Sequence, residues 1–185
     1  MAKSLRILGA LALVALGFWG WRTLFPSPEK VIRSRLKALA RAASFDSREG
    51  TIVRAFKAES VAEYFTLDAQ IAVTSSGFPD VNLNGRNEIS QAGLAARSRF
   101  TGLKAEFLDI NVTLGPDKQT ATAELTGKAT IAGESDIYVQ ELRFKLKLVD
   151  GKWLISHVES VKSLSQRRTA PAPVRNESEL HSTTG

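Results

Sequence analysis

The chain contains no cysteine, which removes disulfides, thiolate nucleophiles and cysteine-bound zinc in one step. The compartment stays open, because a chain without thiols survives in oxidising and reducing surroundings alike. Histidine is nearly as scarce. His157 and His181 are the only two, too few and too far apart for a metal-ligand set, so no metal and no cofactor is expected. The chain also has no G-x-S-x-G elbow, no P-loop and no dinucleotide fingerprint. What is left for chemistry is thin. The stretch VDGKWLISHVESV (149–161) carries His157, and whether that histidine is a base or an ordinary sheet residue is the main question the sequence raises.

What is present is charge, unevenly placed. The formal net charge is +6, but residues 1–41 hold eight Lys or Arg against one Glu, while residues 42–165 hold 14 basic and 16 acidic residues. The basicity therefore lies beside the N-terminal apolar segment and not on the body of the protein. Anionic lipid headgroups explain that placement better than nucleic-acid phosphates do, and no nucleic-acid partner is expected.

Residues 7–21 (ILGALALVALGFWGW) are uncharged, with Lys3 and Arg6 before them and Arg22 after. A span needs about 20 residues at ~1.5 Å each, and snorkelling arginines with interfacial Trp19, Trp21 and Phe25 make up the difference. The favoured reading is an uncleaved single-pass anchor over residues 1–25. A cleaved signal peptide, with Ala15-Leu16-Gly17 as its site, is the alternative. A short N-terminus behind an anchor leaves the domain on the extracytoplasmic (periplasmic) side, whereas the excess of Lys and Arg after the segment argues for the opposite orientation. The extracytoplasmic placement is preferred.

After Pro26-Ser27-Pro28 the pattern turns helical. PEKVIRSRLKALARAA (28–43) starts with proline at its first position and puts Ile32, Leu36, Leu39 and Ala43 on one face. Lys30, Arg33, Lys37 and Arg41, with Arg22, form the basic surface expected to meet headgroups. A second helix is expected over 51–64, with Ile52, Phe56 and Val61 at near-helical spacing alongside Phe65. A short strand over 68–74, a turn-rich stretch SSGFPDVNLNG (75–85) and a third helix from Gly85 follow, with Ile89, Leu94 and Phe100 as core candidates. From Lys104 onward apolar residues alternate. One face of AEFLDINVTL holds Leu108, Ile110, Val112 and Leu114, and the other Phe107 and Asp109. TATAELTGKATI and YVQELRFKLKLV alternate likewise, and Asp150-Gly151 is the turn into KWLISHVESV. Helices first and a strand meander after them make an α+β domain. TAPAP and the polar residues from 166 to 185 read as a disordered tail.

Asp68-Ala69 opening the first strand, GRNEI (85–89) opening the third helix and DGKWLISH (150–157), in that order, resemble the nuclear-transport-factor-2-like superfamily, which includes the SnoaL-like polyketide cyclases. The likeness covers roughly residues 28–162. It implies N-terminal helices packed on a curved antiparallel sheet, a cone-shaped, cystatin-like roll over residues 26–165, here preceded by a single transmembrane helix. It also implies a conical pocket that members use for catalysis, for ligands or merely as a packed core.

On the alternating pattern, Tyr138 and Gln140 share the face of Leu142 and Phe144, and Trp153, Ile155 and His157 share a face of the returning strand. If these faces are concave, Tyr138, Gln140, Trp153 and His157 line the pocket, with His157 as base and Tyr138 as hydrogen-bond donor. The opposite face (Leu154, Ser156, Val158) is half apolar too, so the direction of His157 stays open. The inward positions are mostly Ala, Leu, Ile and Val, which suits a membrane-tethered, non-catalytic domain binding a ligand or a protein partner, an envelope assembly component or a homodimer. The alternative is a SnoaL-like isomerase, cyclase or dehydratase acting on a small apolar substrate by proton transfer.

Overall fold

The computed structural model describes residues 27–46, 50–75 and 78–161. The expected anchor over 1–25, with Arg22, and the expected tail over 166–185 lie outside the described residues, among which no helix is long and apolar enough to cross a membrane. Three helices, α1 (Pro28–Ala43), α2 (Thr51–Ala62) and α3 (Gly85–Arg99), accompany six strands: β1 (Phe65–Ser75), β2 (Phe78–Asn84), β3 (Leu103–Leu114), β4 (Thr120–Ile131), β5 (Ile137–Val149) and β6 (Lys152–Ser160). The strands form one sheet in the order β2-β1-β6-β5-β4-β3. It is not antiparallel throughout: β1 runs parallel to β6. The first hairpin comes early in the chain, and the meander returns to it only at its last strand.

Most of the stretch expected to be turn-rich, Phe78–Asn84, forms β2 instead. Asn84 donates its backbone N–H to the Glu88 carboxylate at 2.7 Å. Gly85 has φ +80 and sits where a Cβ would stand 3.1 Å from the Leu67 carbonyl, so glycine is required where β2 bends into α3.

The core lies between the helices and the concave sheet face. Ile32, Leu36 and Leu39 of α1 meet Ile110, Ala121, Ala123, Leu125, Phe144, Leu146, Trp153, Ile155 and Val158. Ile32, Leu36, Leu146 and Ile155 are wholly enclosed, each contributing ~1.5–3 kcal/mol by burial. Arg97 of α3 is also buried; its guanidinium donates to the Ala42 carbonyl at 2.7 Å and lies 5.0 Å over the Phe45 ring. A cation there complements the negative C-terminal end of α1. Ser44 accepts from the Ala105 N–H at 2.9 Å, pinning the same end to β3.

Two bulges reset the alternation. Asp109 takes φ +51, and between Leu108 and Asn111 the β3–β4 register slips. Phe107 therefore faces inward with Ile110 and Val112, while Leu108 is 45% exposed, the reverse of strict alternation. In β6, Leu146 pairs with Ile155 but Lys145 pairs with His157, so Ser156 is the extra residue. On α2 the buried positions are Ala58 and Ala62, because Ala58 packs against Gly93 of α3; this contact turns Ile52 and Phe56 to solvent. Of the core candidates on α3, Ile89 is buried and Leu94 is 38% exposed.

Candidate ligand cleft

Strand β5 is longer than the strand beside it. β6 pairs with β5 as far as Leu142↔Ser160, and a last hydrogen bond runs from Val161 N–H to the Glu141 carbonyl at 2.9 Å. Beyond that point β5 continues, paired among the described residues with β4 alone down to Ile137↔Thr130. Across the gap stands the β1–β2 hairpin, where Val73 pairs with Val81. The space between is a cleft of about 260 Å³ lined by Val73, Val81, Ala105, Phe107, Gly127, Lys128, Ala129, Tyr138, Gln140 and Leu142. Gly127 contributes by its missing side chain, since a Cβ there would come within 2.9 Å of Leu142 Cδ1. Phe107 meets Phe144 edge to face at 5.5 Å and so joins the cleft to the core.

Two of the residues expected in a pocket, Tyr138 and Gln140, line this cleft. The Tyr138 hydroxyl donates to Glu134 Oε2 at 3.0 Å. That acceptor, with partial desolvation and the charges of Glu134 and Asp136, raises the phenol above its ordinary value, so it stays protonated at neutral pH. Trp153 and His157 do not join them. Trp153 is buried in the core. His157 is carried by the Ser156 bulge to the convex face, where its neighbours across the ladder are Lys145 and Gln70 and its Nε2 lies 3.4 Å from Glu159 Oε2. Val158 takes the inward place instead. Tyr138 and His157 thus face opposite sides of the sheet, and the expected base–donor constellation does not assemble. The signal in the sequence was the half-apolar run Leu154-Ser156-Val158, which a period of two could not resolve.

The convex face around His157 is an ion-pair network. Arg143 bonds Glu124 at 2.9 Å and Glu159 at 3.4 Å, and Lys145 reaches Glu159 at 4.0 Å. Partial burial works to raise the Glu159 carboxyl, but Lys145, Arg143 and His157 together hold it below its ordinary value. Further along, Glu106 lies 3.0 Å from Lys104 and 3.7 Å from Lys128. On α1, Lys30, Arg33, Lys37 and Arg41 are all exposed along one side of the helix.

A second cavity, of about 580 Å³, was not anticipated. It lies between α1, the end of α2 and the β5–β6 turn, and Arg35, Glu63, Tyr64, Arg86, Asp150 and Lys152 are among its lining. The Arg35 guanidinium sits 4.9 Å over the Tyr64 ring with its buried Nε lacking a hydrogen-bond partner, and Arg86 is held by the Phe65 carbonyl. Its lining mixes both signs of charge. Among the described residues no group of three or more His, Cys, Asp or Glu could hold a metal ion.

No protein-family model matches the chain, and no curated protein matches it. Solved structures do. A nuclear-transport-factor-2-like protein of unknown function from Pseudomonas putida is 13% identical, with 71% of this chain and 84% of that one covered at a TM-score of 0.55. A candidate scytalone dehydratase from Novosphingobium aromaticivorans is 15% identical, over 71% of this chain and 80% of that one, at 0.52. A protein of unknown function with a cystatin-like fold from Nostoc punctiforme is 15% identical, over 72% and 91%, at 0.52. Likeness at such identities speaks for the fold and not for an activity. The described residues form an α+β domain of the nuclear-transport-factor-2-like, cystatin-like fold, its helices packed on a curved six-stranded sheet.

Proposed function

We propose that this chain is a membrane-tethered, non-catalytic binding domain whose cleft at the open end of the cone takes a small apolar ligand or an apolar segment of a partner. The observation that carries the reading is the chemistry of the cleft wall: mostly valine, alanine, phenylalanine and leucine side chains, with Gln140, Lys128 and a single phenol that donates its hydrogen bond to Glu134 as the polar groups. Such a surface offers burial of apolar area, at ~25 cal/mol per Å², and little for proton transfer. A volume of about 260 Å³ suits a ligand at the small end of the usual range. The tether is supported by the uncharged run at 7–21 and by the exposed basic side of α1, which would lie near anionic headgroups.

The alternative, an isomerase or cyclase, would need a base within reach of the cleft, and His157 stands on the other face. The test is titration of the full chain in lipid nanodiscs with naphthalene, followed by two-dimensional NMR. Shifts centred on Phe107, Leu142 and Tyr138, abolished by Ala129→Phe, are expected. Shifts spread evenly, or none up to the solubility limit, would end the ligand reading.

A further inference from the structure

The second cavity, of about 580 Å³, lies at the other end of β5 from the apolar cleft, beside the turn that joins β5 to β6. It is organised by the joint between α2 and β1. The Tyr64 carbonyl accepts from the Ile155 N–H at 2.9 Å and Phe65 pairs with Ile155, so this joint is fixed to β6. Each of its two residues then holds one guanidinium. Arg35 of α1 lies 4.9 Å over the Tyr64 ring, and Arg86 of α3 donates through Nε and Nη2 to the Phe65 carbonyl. Consecutive residues thus bring arginines from two helices to one cavity.

Both partners are neutral. A ring face and a carbonyl hold the guanidiniums in place but leave their positive charges uncompensated, and like charges around one space repel. The Arg35 Nε–H is buried without an acceptor, so this cation is partly desolvated with no anion to offset the cost. Carboxylates are at hand but do not pair. Among the described residues no ion pair joins Glu63 or Asp150 to Arg35, Arg86 or Lys152, whereas the charges of the convex face are tied to one another. Depth sorts the signs. Arg35 and Arg86 are half-buried, while Glu63, Asp150 and Lys152 are exposed. The deeper charges are both positive, the outer ones carry both signs, and Tyr64, Val149 and Leu154 supply apolar surface.

From this arrangement we infer that the cavity is a site for a small organic zwitterion. Its carboxylate goes inward to the terminal nitrogens of Arg35, with Arg86 beside it. Its apolar body rests against Tyr64 and Leu154, and its ammonium faces outward near Glu63 and Asp150. A planar carboxylate matches the guanidinium fork, and a cavity of about 580 Å³ is within the usual range for an organic ligand. The site shares no lining residue with the apolar cleft.

Titration of the full chain in phosphatidylcholine nanodiscs with para-(aminomethyl)benzoate, followed through the Arg35 Nε–H and backbone amide resonances, tests it. Saturable shifts are expected at Arg35, Tyr64 and Lys152. Para-methylbenzoate, which lacks the ammonium, should bind at least ~10-fold more weakly. Arg35→Gln should weaken the zwitterion at least ~10-fold, and Glu63→Gln with Asp150→Asn should bring it down to the affinity of para-methylbenzoate. Unshifted amides at Phe144 and Leu146 report that each variant is folded. Absence of saturable shifts up to about 10 mM overturns the proposal. So does equal affinity for the two benzoates, or an affinity that Arg35→Gln leaves unaltered. Inorganic phosphate binding more tightly than either benzoate overturns it as well, since the site would then be one for a phosphoryl group. Naphthalene shifts centred on Phe107 and benzoate shifts centred on Arg35 are separate signals, so the two readings fall separately.

Discussion

Strand β5 has two halves, and the contrast between them organises the molecule. From Leu142 to Leu148 it is paired on both sides, and its inward residues Phe144 and Leu146 are buried beneath α1. From Ile137 to Gln140 it has, among the described residues, β4 on one side only, and its inward residues Tyr138 and Gln140 border the cleft. Composition separates the halves too: Leu142 to Leu148 alternate apolar residues with Arg or Lys, whereas Ile137 and Val139 are apolar and exposed. The described residues of β6 pair with the buried half.

The largest break in this contrast should come from Val158→Asp, on the strand that covers the buried half, where Val158 pairs with Phe144 and is enclosed in the core. The substitution combines an unpaired buried carboxylate with a lost valine. A loss of about 4 kcal/mol or more is expected, read by urea denaturation as unfolding or a much lower midpoint. Next comes the direct comparison within β5. Leu146→Ala should cost about 2–5 kcal/mol, whereas Tyr138→Ala, at the cleft, should cost less than half as much. Equal losses would mean that the mouth of the cone is packed as tightly as its base.

Acid should act on the convex face more than on either half of the concave one. Glu159, Glu106 and Asp117 have folded values below their ordinary 4.5, 4.5 and 3.8. For Glu159 partial burial opposes the shift and Lys145, Arg143 and His157 outweigh it; for Glu106 the cause is Lys104 first, and for Asp117 the Thr120 hydroxyl. Each therefore stabilises the fold above its ordinary value and ceases to do so as pH falls through its folded one. Thermal stability should be flat from pH 7 to about 5 and decline below about 4, with Glu159→Gln making the decline shallower. The smallest effect belongs to His157→Ala. Its partner is a partly exposed carboxylate on a screened surface, so less than about 1 kcal/mol is expected at pH 7. A large loss would give His157 a role that its position on the convex face does not explain.

The legible parts of the fold are those where one local pattern acts alone. Pro28 and the Ile32-Leu36-Leu39 spacing mark α1, and Asp150-Gly151, with φ of 49 and 74, marks the tightest hairpin. The illegible parts are those where one residue changes the phase. Asp109 and Ser156 each add a single position to a strand, and each moves every later side chain to the opposite face. Neither is a glycine, so neither announces itself. Strict alternation therefore grouped Leu108 with Ile110 and Val112 and left the direction of His157 open, while Tyr138 and Gln140 stand on a strand whose own alternation is unbroken. The β1–β2 hairpin was hidden for another reason: Pro79, Asn82 and Asn84 are turn-forming residues, and the pairing of β2 with β1 overrides them.

The kink at Asp109 also bears on the protein's solubility. β3 is a terminal strand of the sheet, 12 residues long, and a straight strand of that length would present a regular row of backbone donors and acceptors to any passing chain. A residue at φ +51 midway along it breaks the row into two short runs out of step with each other, and Lys104 adds a charge near one end. A second molecule approaching from that side would have to satisfy two registers at once. Even when crowded, copies of this domain would be kept from joining edge to edge along β3.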